Sequence, residues 1–109
     1  MARDVRTGLT ASELREIRSV LKRYDDKIIK AAFFGSRANG RWRPESDIDL
    51  VLYGPISERE VDRLWTDFSE SNLSMTVDVI SYERIAHSLL RAHIDEVALP
   101  LSEDMEVVR

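Results

Sequence analysis

The sequence predicts a small α/β (α+β) domain in which helices cover a β-sheet, and three observations carry that prediction. Apolar stripes at helical spacing alternate along the chain with short runs of strand-forming residues. Helix-opening capping boxes and strand-ending Gly or Pro residues fall between those runs. The 109 residues, 43% hydrophobic and 33% charged, are enough for one core and too apolar for disorder. A single domain over residues 1–109 is expected.

The first helix begins at Thr10, where Thr10-Ala-Ser-Glu13 forms a capping box. Leu14, Ile17, Leu21 and Tyr24 then recur at helical spacing and make one apolar stripe. Ile28–Phe34 reads as a buried strand, stopped by Gly35-Ser36. A short helical turn covers Ser36 to Asn39 and ends at Gly40. Arg41–Glu45 is a loop, because Pro44 cannot continue a helix. Asp47–Tyr53 is the second strand, closed by Gly54-Pro55. Ser57-Glu58-Arg59-Glu60 repeats the capping box and opens a helix with Val61, Leu64, Trp65 and Phe68 inward. Met75–Ile80 is the third strand. A helix follows from Ser81 to His93 with Ile85, Ala86, Leu89 and Leu90 inward. Val97–Leu101 forms a last short strand, and Ser102–Arg109 a polar tail.

Charge and cysteine content narrow the function classes. The chain carries 16 Lys+Arg against 20 Asp+Glu, a net charge of −4, which disfavours a broad basic face for nucleic acid. Thirteen of the cations are arginines, suited to local pairing with carboxylates or phosphates. Zero cysteines exclude disulfide scaffolds, thiol nucleophiles and Cys-type zinc sites. No apolar run approaches the ~20 residues of a membrane span, and the first residues lack a signal-peptide pattern. The expectation is a cytoplasmic protein with no membrane contact.

Three aspartates break the local rules. Asp47 and Asp49 lie two apart in a strand, so both project from one face while Ile48 and Leu50 take the other. Aspartate is disfavoured in strands, and like charges this close repel. Asp78 repeats the oddity between Val77 and Val79. If the second and third strands are neighbours, three carboxylates converge. Such a set suits a hard divalent ion such as Mg²⁺, and two ions can clamp the attacking and leaving oxygens of a phosphoryl-type displacement. The plainer reading leaves Asp47 at a strand start, Asp49 paired with an arginine and Asp78 solvated.

The turn after the first strand changes the balance. Gly35 lets an anion approach the backbone, and the Ser36 hydroxyl adds a donor. Gly35-Ser36, ten residues, then Asp47-Ile48-Asp49 is a pattern that a chain of this length matches by chance on the order of once in a thousand. The string Gly35-Ser36-Arg37-Ala38-Asn39-Gly40 with Ser46-Asp47-Ile48-Asp49-Leu50 resembles the minimal nucleotidyltransferase family of the DNA polymerase β superfamily. Within it, the chain is similar to the MntA-type antitoxins encoded beside HEPN-domain toxins.

The resemblance implies a polymerase-β-like fold with a small mixed sheet. It implies that Gly35 and Ser36, joined by Arg37, hold the phosphates of a nucleoside triphosphate. Asp47 and Asp49 match the aspartates that bind two Mg²⁺ ions, and Asp78 the third carboxylate, which helps to deprotonate the acceptor. The implied reaction transfers AMP from ATP to a hydroxyl. In the antitoxin type that hydroxyl is a tyrosine of the HEPN RNase toxin, held in a hetero-oligomer. Two alternatives stand beside it: a non-catalytic module that neutralises its partner by contact, and a transferase acting on a small molecule or an RNA end.

Other residues admit two readings each. Arg37, Arg41 and Arg43 either contact the triphosphate or an acidic partner, or belong to a solvated loop. Trp42 either stacks on a base or partner, or packs over the sheet edge. His87 and His93 have no second ligand at metal spacing, and a structural or surface role is expected.

Overall fold

Two reciprocal capping boxes start the long helices. Thr10 Oγ1 accepts from the Glu13 amide at 3.1 Å, and Glu13 Oε1 accepts from the Thr10 amide at 2.8 Å. Ser57 and Glu60 repeat this exchange at 3.1 and 2.9 Å. Each satisfies amides that a helix start otherwise leaves unpaired. The computed structural model describes residues 3–101. It contains α1 (Ala11–Leu21), β1 (Lys30–Phe34), α2 (Ser36–Asn39), β2 (Ile48–Tyr53), α3 (Glu58–Ser69), β3 (Val77–Ser81), α4 (Ser88–Val97) and β4 (Leu99–Pro100), with 3-10 turns at Lys22–Tyr24 and Tyr82–Arg84. The polar tail expected over Ser102–Arg109 lies outside the described residues.

The four strands form one mixed sheet in the order β3-β2-β1-β4. β1 runs antiparallel to both β2 and β4, while β3 returns parallel to β2 after α3. Strand side chains alternate between faces. On one face Phe33, Ile48, Leu50, Leu52, Val77 and Val79 pack with Leu14, Ile17, Leu64 and Phe68 of α1 and α3. On the other face the buried set shrinks to Ala32, Val51 and Ile94. The mixed α+β architecture agrees with the expected fold class, and Ile48 and Leu50 are on the core side as the period of two requires.

Several expected elements move. β1 begins at Lys30, because the preceding residues turn back: the amides of Lys27 and Ile28 both donate to the Tyr24 carbonyl. Asp47 precedes β2, and β3 starts at Val77. Trp65 is not core but 42% exposed. Its indole nitrogen donates to the Val79 carbonyl at 3.3 Å, on the outer edge of β3. An edge strand leaves such carbonyls without a ladder partner.

The last helix departs furthest. It starts at Ser88, where His87 caps it through Nδ1 by accepting from the Leu90 amide. Within this helix Ile94 is buried against the sheet, while Leu89 is 74% exposed and Leu90 also faces out, contrary to the expected stripe. Tyr82 fixes the approach: its ring stacks on Tyr53 at 4.7 Å and its hydroxyl donates to Asp95. No helix among the described residues is long and apolar enough to cross a membrane.

Candidate active site

Strand register brings the aspartates together. Asp49 of β2 lies directly opposite Asp78 of β3, and on its other side opposite Phe34 of β1. Paired residues on adjacent strands sit about 4.8 Å apart, within reach of two carboxylates. Asp47, two residues earlier, is exposed at the entrance to the same row, while Asp49 and Asp78 are half-buried. Asp49 and Asp78 belong to the sheet face opposite the main core, and Asp47 leads into β2 beside them.

Gly35 closes the arrangement from β1. Its φ of +73° lies where L side chains are disfavoured, and an added Cβ would run into Asp49 Oδ2. The Gly35-Ser36 turn is therefore packed on the Asp49 carboxylate. Ser36 opens α2, and its amide and that of Arg37 precede the first bond of the turn, which the Ala38 amide donates to the Gly35 carbonyl at 3.0 Å. The turn and the acid pair, which the sequence separates by ten residues, form one site.

The electrostatics mark this site as short of positive charge. Desolvation by burial, then the charges of Asp78 and Asp47 and hydrogen bonding to Asp78, push Asp49 up from 3.8 to about 6. Among the described residues no Lys or Arg forms an ion pair with any of the three aspartates. The arginine pairing that the plainer reading gave to Asp49 is absent there. A cluster of hard, uncompensated oxygen donors is the donor chemistry that Mg²⁺ takes. The carboxylates do not by themselves close a three-ligand cage among the described residues. Mg²⁺ commonly completes its shell with water and substrate phosphate around one or two carboxylates, so Asp47, Asp49 and Asp78 fit it.

Arg37 does not belong to a solvated loop: it is wholly buried, with its donors turned to backbone carbonyls. Nη1 donates to the Thr7 carbonyl at 2.9 Å, and Nη2 to those of Pro44 and Ser46 at 3.1 and 2.9 Å. Nε has no partner among the described residues. Burial lowers the guanidinium pKa, with Glu13 opposing. The side chain lies beneath the loop that follows α2, held there by the Pro44 and Ser46 carbonyls. Arg41 and Arg43 are exposed on that loop. Trp42 packs on the N-terminal loop, where its indole covers Gly8 and its Nε1 donates to Val5 O at 3.1 Å.

The N-terminal loop received no role from sequence reasoning. It is held by Asp4, whose Oδ1 accepts from the amides of Arg6 and Thr7 at 2.8 and 3.0 Å. An aspartate that can accept from the amides two and three residues on, with a glycine closing the turn at Gly8, is the local signal for such a turn. A groove of about 410 Å³ lined by Lys22, Ile29 and Leu101, among others, includes none of the site residues.

Residues 15–104 match the family model described as "Polymerase beta, Nucleotidyltransferase". No curated protein sequence gives a significant match. Among solved structures, a toxin–antitoxin with AMP-PNP is similar with a TM-score of 0.68 at 20% identity, covering 82% of this chain and 72% of that one. A mutant of the toxin–antitoxin MntA-HpeT is similar with a TM-score of 0.67 at 18% identity and the same coverage, 82% and 72%. At such identities the likeness is one of fold. The family match, which runs along most of the sequence, together with the shared fold places this chain in the polymerase β nucleotidyltransferase family.

Proposed function

We propose that the domain is the antitoxin of a toxin–antitoxin pair and transfers AMP from ATP to a hydroxyl, a tyrosine of a HEPN-type RNase toxin. One observation carries the chemical part: Asp49 stands in register with Asp78, beside Asp47 and against Gly35. The antitoxin part rests on the two similar structures, both of toxin–antitoxin systems, one containing an ATP analogue.

In the proposed reaction the acceptor oxygen attacks the α-phosphorus, its bond to the β-bridging oxygen breaks, and pyrophosphate leaves. Asp47, Asp49 and Asp78 would hold Mg²⁺, which when bound supplies charge neutralisation for the triphosphate and the developing oxyanions. Gly35 presents backbone without a side chain, so phosphate oxygens can approach the Ser36 amide and hydroxyl. Asp78 accepts the acceptor's proton. Burial and the neighbouring carboxylates raise the Asp49 pKa, an electrostatic penalty that a cation joining the cluster would relieve.

The test is transfer of label from α-labelled ATP with Mg²⁺, using the protein alone and with the product of its neighbouring gene. Label should appear on a tyrosine of the neighbour and vanish with Asp47→Asn or Asp49→Asn. Label that survives both substitutions would overturn the metal assignment. Absence of label with any nucleotide, together with neutralisation by Asp49→Asn at equal stoichiometry, would instead establish the contact-only binder.

A further inference from the structure

Arg37 is a charged side chain at 0% exposure whose three hydrogen bonds among the described residues all go to backbone carbonyls. Burying a cation on neutral acceptors is costly, so its position calls for an explanation. The acceptors supply one. The Ser46 carbonyl belongs to the peptide bond that enters Asp47, and the Pro44 carbonyl lies two residues before it. Arg37 itself directly follows Ser36. One side chain thus joins the Gly-Ser turn to the backbone of the first aspartate, and Thr7 anchors both to the N-terminal loop.

The rest of the loop supports the same joint. The Arg43 amide donates to Ser46 Oγ at 2.8 Å, and the Ser46 amide to the Arg43 carbonyl at 2.9 Å, which closes the turn that Arg37 grips from beneath. Trp42 lies against the same guanidinium, its ring centroid 6.0 Å from Arg37 Cζ, and packs on the N-terminal loop through Gly8 and Val5. A lysine cannot replace this fork: it is a point donor on a flexible stem, whereas guanidinium reaches three acceptors in a fixed plane.

Resting on the reading of Asp47 as a metal ligand, we infer that Arg37 is a positioning residue that locks the Pro44–Ser46 turn, and with it Asp47, against the Gly35-Ser36 turn. It touches neither nucleotide nor metal. Its effect is on how well the carboxylates converge. Groups that orient metal ligands from behind typically change metal affinity by 10–100-fold when removed.

The experiment is a Mn²⁺ titration of the full chain without nucleotide, followed by electron paramagnetic resonance of the free ion, alongside a thermal melt. Arg37→Lys and Arg37→Met should each bind Mn²⁺ about tenfold more weakly, and Ser46→Ala more weakly by a smaller factor. Val20→Ala, a core change in α1, should lower the melting temperature yet bind as the unaltered protein does. Asp49→Asn should lose binding. If Asp49→Asn loses binding while the Arg37 variants keep full affinity, or lose no more than Val20→Ala, the positioning role is wrong and the metal site stands. If Asp49→Asn binds as the unaltered protein does, the metal reading fails and the Arg37 role with it. Should neither Arg37 variant fold, Ser46→Ala decides, and unchanged affinity there overturns the proposal.

Discussion

On one face of the sheet Phe33, Leu50, Leu52 and Val79 pack against α1 and α3 with no side chain more than 2% exposed. On the other, Ala32, Val51 and Ile94 are the buried set, and the row of strand residues ends in Asp49 and Asp78. The same three strands thus carry two opposed environments. Apolar burial on the first face contributes stability at roughly 25 cal/mol per Å², while the second desolvates carboxylates without a cation beside them. A scaffold that holds like charges together must take its stability from elsewhere, and here that is the back of the same strands. Rigid strands also fix the carboxylates better than loops would.

Breaking the first face should have the largest effect on stability. Phe33→Ala removes a fully buried ring and should cost about 3–5 kcal/mol in urea unfolding. A loss under about 1 kcal/mol would show that this face is not where the stability resides.

The second face should respond in the opposite sense. Asp49 is raised from 3.8 to about 6, so its folded form favours the proton. Its contribution to stability is therefore complete below about pH 4 and is lost as pH rises through about 6. In metal-free protein at pH 7, Asp49→Asn should be more stable than the unaltered chain by about 1–3 kcal/mol, and the difference should vanish near pH 4. Mg²⁺ should narrow the gap by stabilising only the aspartate form. An Asn variant less stable at pH 7 would mean that the carboxylates are not mutually repulsive.

Smaller effects sharpen the contrast. Ser57→Ala deletes the cap of α3, which packs on the apolar face, and should cost about 1 kcal/mol in the same unfolding experiment. Leu89→Ser on α4, above the thinly buried face, should stay within about 0.5 kcal/mol. A cost well above that would place Leu89 in the core, as its sequence stripe suggested.

Local chemistry made much of this legible. The two capping boxes fixed the starts of α1 and α3, since cap and partner lie three residues apart. Gly35 and Gly40 bounded α2 for similarly local reasons. The period of two put Ile48 and Leu50 inward and Asp47 and Asp49 outward, and the Gly-Ser spacing to those aspartates pointed to the family. Trp65 and Leu89 show the limit. Helical spacing marks a stripe, but whether a neighbour covers it depends on segments from elsewhere in the chain.

What the tertiary structure alone decided is which distant residues meet. Asp49 finds Asp78 because β3 returns parallel to β2 in one of several possible registers, and a shift of one residue would have turned Asp78 to the core. Arg37 lies beneath the loop that follows α2 and there reaches Thr7, thirty positions away in the chain. Element type and facing follow from spacing within a few residues, so the sequence determined them. Convergence of the carboxylates and burial of the arginine are contacts between separate segments, and only folding brings those together.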